Sequence, residues 1–402
     1  MLPATTEVAI GGGSAPAAVA PRRVETAWVI GRGSDLAWLI GGALVAYGLL
    51  VAHLVFGVAA VVIYCVWILT VDGPHVFATL SRTYLDAAQR AARARLLRWS
   101  LCVFALGPAA VGLSVLAGVR LPYDLFLVGC SLWAYWHVVR QHYGVMVLYK
   151  KKAGDMAPVD DRIDTACLHV GLLAPFAGFV LSNPRALAIA GLSASPASAL
   201  TAAWSAFGVA IVVLGARQLV RLAQDRAVHA SKLLFVLAAI SVSAVVMSPP
   251  VASRIDYEAV FPIVTSFHNV QYLAIVWFFH QNRRPAIERD GRVVPMFARS
   301  VWVLLGAGVV FTVGYRVLLG CVFSAWPGCD VGAEAIALPA GLTASDLGVG
   351  FLWGFALHHY YLDQQIWHVR RDRVVSRDLG LEPPQWGHER RKSRPRKRGT
   401  LP

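Results

Sequence analysis

Apolar runs of bilayer-crossing length recur along this chain, and they restrict its fold more than any other feature. A helix needs roughly 20 apolar residues to cross the hydrocarbon core. Only segments that satisfy their own backbone polar groups persist there. Such runs lie near 36–54, 56–76, 99–118, 123–149, 163–182, 198–219, 232–249, 258–281, 300–320 and 345–369. The sequence therefore predicts an all-α fold, a polytopic membrane bundle of about ten transmembrane helices.

Charge placement fixes the expected orientation. Only 15% of residues are charged and 57% are hydrophobic, against about 25% charged in a soluble domain. The formal charge of +14 does not point to nucleic acid, because the basic residues sit between apolar runs or in the tail. With the N-terminus inside, 32 Lys and Arg fall on cytoplasmic segments and 4 outside. Positive charge retained on the inner side is the usual asymmetry, so both termini are expected in the cytoplasm. The expected location is a bacterial cytoplasmic membrane, with membrane lipids as partners.

Three regions follow. Residues 1–33, rich in Gly, Ala and Pro, have no apolar segment of the signal-peptide kind and read as a flexible cytoplasmic leader. Residues 34–370 form the transmembrane domain, with Tyr84–Arg98 read as an amphipathic helix on the membrane surface. Residues 371–402 form a basic disordered tail drawn to anionic headgroups. Cys321 and Cys329 share one outer loop and are either a disulfide or two free thiols.

Ionisable side chains inside a span are costly, so each needs a partner or a task. Eight of the twelve histidines lie on four segments. The second span ends in Asp72-Gly73-Pro74-His75, and the fourth carries His137 and His142 around Arg140 and Gln141. The eighth carries His268 with Gln271 and Tyr272, and later His280; the tenth carries His358, His359 and Asp363, followed by His368. At 1.5 Å per residue, His75, His142 and His359 lie about 10 to 16 Å from the nearest cytoplasmic basic residue, and His137 and His268 about 20 Å. The imidazoles thus fall into one slab on the cytoplasmic side.

A metal site explains that slab. His75, His137, His142, His268, His358 and His359 are candidate ligands, His137, His142, His268 and His359 foremost. Ligating histidines lean on carboxylates, amides or carbonyls. Asp363 follows His359 by four, Gln141 follows His137 by four, and Gln271 and Tyr272 follow His268 by three and four. Gly73-Pro74 interrupts the helix ladder beside His75. Arg140 is read as a charge partner of Asp363 or Asp72, or as an anchor for a headgroup. His137 and His142 are about 140° apart on an ideal helix, and His358 and His359 about 100° apart. Both members of each pair reach one centre only if the helix is distorted or the site is wide. Imidazole with some carboxylate suits iron, copper or zinc.

The pattern resembles the membrane histidine-box enzymes, desaturases and hydroxylases that hold non-haem diiron on the cytoplasmic side of a helical bundle. His137-Val138-Val139-Arg140-Gln141-His142 looks like their first box, and His358-His359 like the doublet ending their later boxes. The chain has no histidine, two residues and a histidine pair in sequence. The resemblance implies one or two non-haem irons, a lipid-like substrate and an external electron donor.

The expected function is an oxidoreductase of that chemistry. A haem held by paired histidines and a proton- or metal-coupled transporter are the alternatives. A transporter needs polar groups through the whole thickness, and the outer half reads as almost purely apolar. No nucleotide-binding glycine loop or nucleophile motif occurs in the chain.

Overall fold

The computed structural model describes residues 24–189, 193, 196–287, 294–368 and 373–381. Most of the expected leader, residues 1–23, and nearly all of the expected tail, from residue 382, lie outside the described residues. So do residues 288–293 and 369–372.

Ten helices of at least 18 residues carry the described chain. They are α1 (Arg32–Leu54), α2 (Ala60–Arg82), α3 (Ala94–Ala117), α4 (Leu121–Ala153) and α5 (Pro158–Ser182). Then come α6 (Ala197–Ala223), α7 (Ala230–Met247), α8 (Tyr257–Ile287), α9 (Val301–Val322) and α10 (Ala344–Ile366). Eight of them are long and apolar enough to cross a membrane. The other two, α4 and α10, match the fourth and tenth expected spans in position. They fall short on apolarity because they carry His137, Arg140, His358, His359 and Asp363.

Burial orders the helices. In α8, 94% of the most apolar window is buried, against 11% in α6. The helix with His268 and Tyr272 is thus the axis of the bundle, and α6 lies at its edge. Outward faces carry Leu44, Leu116 and Val310, each more than 70% exposed, as lipid-facing surfaces do.

Two close backbone approaches place the polar helices. Pro74 has no N–H to donate and crowds the carbonyl one turn back; α2 answers with a π-turn over Ile68–Asp72 and then continues unbroken to Arg82. The second span was expected to end at 76, and its extra turns bring in Thr79 and Arg82. A Cβ on Gly73 would lie 1.9 Å from Thr312 Oγ1, and one on Gly308 would lie 2.6 Å from Pro74 Cα. Only glycine lets α2 and α9 meet here. Likewise a Cβ on Gly107 would lie 2.1 Å from the Gly350 carbonyl oxygen, so α3 and α10 touch backbone to backbone. A capping box of Thr343 and Asp346 starts α10, and Arg120 pairs with Asp346 at 2.9 Å.

Over 84–98 there is no single surface helix. Ala87–Ala92 and Ala94–Ser100 are parted at Arg93, and the second piece forms the first turns of α3. Cys321 and Cys329 are joined as a disulfide.

The basic ends of α4 and α7 meet in a buried ionic network. Lys150 Nζ donates to Asp164 at 2.6 Å, and Lys232 Nζ donates to Asp155 and Asp164 at 2.7 and 2.8 Å. Arg221 Nη1 donates to Asp155 at 2.9 Å.

Candidate metal centre

Four helices each bring a histidine to one buried point. His75 comes from α2, one residue after the proline that reshapes it, His137 from α4, His268 from α8 and His359 from α10. Asp363 lies one turn beyond His359 on the same face. One ligand atom from each of His75, His137, His359 and Asp363 falls within 4.8 Å of all the others, and all four residues are buried. The His268 ring centroid is 4.7 Å from that of His75 and 5.4 Å from that of His137.

Hydrogen bonds aim these donors. Asp363 Oδ1 accepts from Tyr272 Oη at 2.5 Å and from Thr79 Oγ1 at 2.9 Å. Thr79 Oγ1 also lies 2.6 Å from Tyr272 Oη and 2.7 Å from His359 Nδ1, and when its one proton goes to Asp363 it accepts from the His359 tautomer that carries its proton on Nδ1. That tautomer leaves the His359 Nε2 lone pair facing His137 Nε2 at 3.2 Å. Asp363 Oδ2 faces the same two nitrogens, at 4.0 Å from His137 and 3.8 Å from His359. Both ring nitrogens of His75 and of His268 are buried and unpartnered among the described residues.

These separations can be tested against a metal. Bonds of about 2.1 Å put neighbouring ligand atoms about 3 Å apart and opposite ones about 4.2 Å apart. The spacings of 3.2, 3.8 and 4.0 Å among His137, His359 and Asp363 fall in that interval, whereas the set with His75 spreads to 4.8 Å and has to close by about half an ångström. Buried imidazole nitrogens without partners are costly unless something accepts their lone pairs or protons. The residues fit a single metal ion.

The other candidate residues are elsewhere. His142 is buried against Phe235 and Phe267, on the other side of α4 from His137, as their 140° separation requires. His358 Nε2 is 3.0 Å from both Tyr84 Oη and Ser100 Oγ, a satisfied interhelical contact. His280 is buried, its Nε2 3.0 Å from Ser81 Oγ. Gln141 donates to the His268 carbonyl at 2.5 Å rather than supporting His137, and Gln271 donates to the Leu39 carbonyl at 2.7 Å. Asp363, expected only to support His359, is itself placed to ligate.

Arg140 pairs with neither Asp363 nor Asp72. It is exposed, its guanidinium 4.7 Å from the Tyr143 ring centroid and 5.9 Å from that of Trp136. The cation that acts on Asp363 is Arg82. Arg82 is buried, its guanidinium 3.3 Å from the Trp367 ring centroid, and it donates to the Ile366 carbonyl at 2.9 Å. Both Thr79 and Arg82 lie past residue 76, where the second span was expected to end. The signal was spacing: Thr79 follows His75 by four residues and Arg82 by seven, one helical face.

A cavity of about 510 Å³ adjoins the centre, and His137, Tyr272 and Asp363 line it together with Trp136, Arg140 and Gln141. No family model, curated protein or solved structure matches this chain, so what it does has to be read from this geometry.

Proposed function

We propose that this chain is a membrane oxidoreductase, holding one non-haem iron within a bundle of ten crossings with cytoplasmic termini, and that it oxidises a lipid-like substrate. One observation carries the reading: three imidazole nitrogens and a carboxylate oxygen lie within 4.8 Å in a buried site, two of whose residues, His137 and Asp363, line a cavity. Histidine with carboxylate suits iron, copper or zinc, and iron is chosen among them on the resemblance to the histidine-box enzymes.

Iron there would supply oxygen chemistry at a C–H bond, with two electrons from an external donor, one oxygen atom entering the product and the other leaving as water. The protein's own part is positional. Thr79 and Tyr272 hold Asp363 by one oxygen and leave the other free to ligate. Thr79 also fixes the His359 tautomer. Burial of all four donors keeps bulk water away.

A haem reading is disfavoured by the same crowding. Two axial histidines need a wide slot between them for the macrocycle, whereas a third imidazole and a carboxylate share this small space. One observation favours transport as the second reading. Asp72 accepts from Asn269 at 3.3 Å and Arg316 donates to Tyr64 at 2.9 Å, so polar groups continue beyond the histidines where apolar residues were expected.

Elemental analysis and optical spectra of the protein in mild detergent test the proposal, beside a His137→Ala/His359→Ala double variant. Iron near one per chain without a Soret band, lost in the variant, is expected. A Soret band would promote the haem reading. Folded but metal-free wild type would sink both and leave transport.

A further inference from the structure

Arg140 is a cation in an unusual position. It lies ten residues, about 15 Å along α4, from Lys150 at the basic end, and one turn from His137. A charge at such depth in a crossing helix needs a partner. Among the described residues no carboxylate pairs with Arg140; only the faces of Trp136 and Tyr143 attend it. Yet it lines the same cavity as His137 and Asp363.

The rest of the cavity wall is mixed, with an apolar part that suits a hydrocarbon chain. Val145, Leu148, Ile275 and Leu379 are apolar and line the same space, and Gln364 and His368 add polar groups. Its 510 Å³ lies within the ordinary range of ligand pockets, about 300 to 1,000 Å³. A planar guanidinium forms its strongest contacts with carboxylate or phosphate, by paired hydrogen bonds.

We propose that this cavity binds a single-chain amphiphile with a carboxylate or phosphate headgroup, that Arg140 pairs with the headgroup, and that the carbon presented to the metal centre lies close to the headgroup rather than in mid-chain. That position rests on adjacency: Arg140 stands one turn from His137, about 4.5 Å of axial rise, and both line this cavity. The last clause rests on the oxidoreductase reading; the binding clauses do not.

The test is equilibrium binding of labelled palmitate and labelled hexadecanol to the full chain in phosphatidylcholine nanodiscs, with metal content measured on the same samples. Wild type is expected to bind the acid at least tenfold more tightly than the alcohol. Arg140→Gln should reduce that ratio to near one while metal content is kept, and Arg140→Lys should hold part of it. Equal binding of acid and alcohol by wild type overturns the proposal, as does a ratio unchanged in Arg140→Gln. Free acetate or phosphate displacing palmitate at comparable concentration would mean an anion site without a chain, which also overturns it. If Arg140→Gln does not fold, the wild-type ratio and Arg140→Lys still decide. Acid-selective binding by a metal-free wild type would remove the oxidoreductase reading and leave the amphiphile site standing. A metal-loaded wild type without selectivity would do the reverse.

Discussion

His137 and His359 face each other nitrogen to nitrogen, Nε2 to Nε2, at 3.2 Å across the meeting of α4 and α10. With the His359 proton held on Nδ1 by Thr79, that contact is a pair of donors set side by side, as two ligands of one ion are. It separates this pair from the other two candidate ligands on the same helices. His142 and His358 should therefore be dispensable: alanine at either should leave iron near one per chain, while alanine at His137 or His359 should remove most of it. Loss of iron on changing His142 would mean a second or wider centre.

Asp363 takes two hydroxyl hydrogen bonds on a single oxygen. Removing one of them leaves the carboxylate free to rotate away from the two histidines. Tyr272→Phe and Thr79→Val should each lower metal affinity by about 10- to 100-fold, the usual cost of losing support behind a ligand. Thr79→Val should cost more, since it also releases the His359 tautomer. Competition with a chelator of known affinity reads both, and unchanged affinity in the two variants would remove Asp363 from the ligand set.

Much of this was legible in the chain, and the failures have physical causes. Ten runs were expected from apolar length, a one-dimensional property that needs no partner, and eight of the ten long helices are long and apolar enough to cross a membrane. The histidine slab follows from helix rise alone. The choice within it does not, because which face of α4 or α10 meets α2 and α8 depends on packing. Rotation about the helix axis already separated His137 from His142, but could not say which of them faced inward. Arg140 was paired with Asp363 or Asp72 because it follows His137 by three residues and so shares its face, but a long side chain can turn along the helix, and this one lies by Tyr143 and Trp136 instead. Arg82 was counted with the cytoplasmic basic residues because it stands past the expected end of the span at 76; the π-turn over Ile68–Asp72 accommodates Pro74 and lets α2 run on to Arg82.

The contact of α2 with α9 is also what holds His75 in place. A methyl on Gly73 would overlap the Thr312 side chain, at 1.9 Å from Oγ1, and Pro74 leaves α2 little freedom to shift. Gly73→Ala should destabilise the protein by about 1 to 3 kcal/mol, the range for overpacking. It should lower metal content too, by moving His75 away from His359. Thr312→Gly removes all three Thr312 atoms that the new methyl would meet and should restore metal binding in the double variant, though not full stability, since glycine within a helix costs about 1 kcal/mol. Thermal unfolding in detergent with parallel metal analysis distinguishes the two effects. Full metal content in Gly73→Ala would show that α2 can yield without moving His75.

Asp155 ties α4, α6 and α7 together through charge, and that bond has a pH signature. Burial raises its affinity for a proton, but Lys232 and Arg221 more than offset this and hold the carboxyl below the usual carboxylate range. An unfolded aspartate titrates near pH 4, at about 3.9. The unfolded chain thus binds the proton first as pH falls, and the stability Asp155 contributes is complete above about pH 5 and shrinks below pH 4. His229 Nε2, 3.8 Å away, and the Lys150–Asp164 pair share the network, so the acid limb of the wild type is a sum over several groups. Asp155→Asn isolates one. At pH 7 it should cost about 3 kcal/mol, as loss of one partner of a buried ion pair does, with Lys232 kept from the full penalty by Asp164. The gap between wild type and variant should narrow as pH falls from 5 towards 3, because only the wild type loses this contribution. Unfolding measured in detergent across that range reads the gap directly. A gap that stays constant below pH 4 would mean that Asp155 titrates alike in the folded and unfolded chain, and that its contacts with Lys232 and Arg221 contribute no net stability.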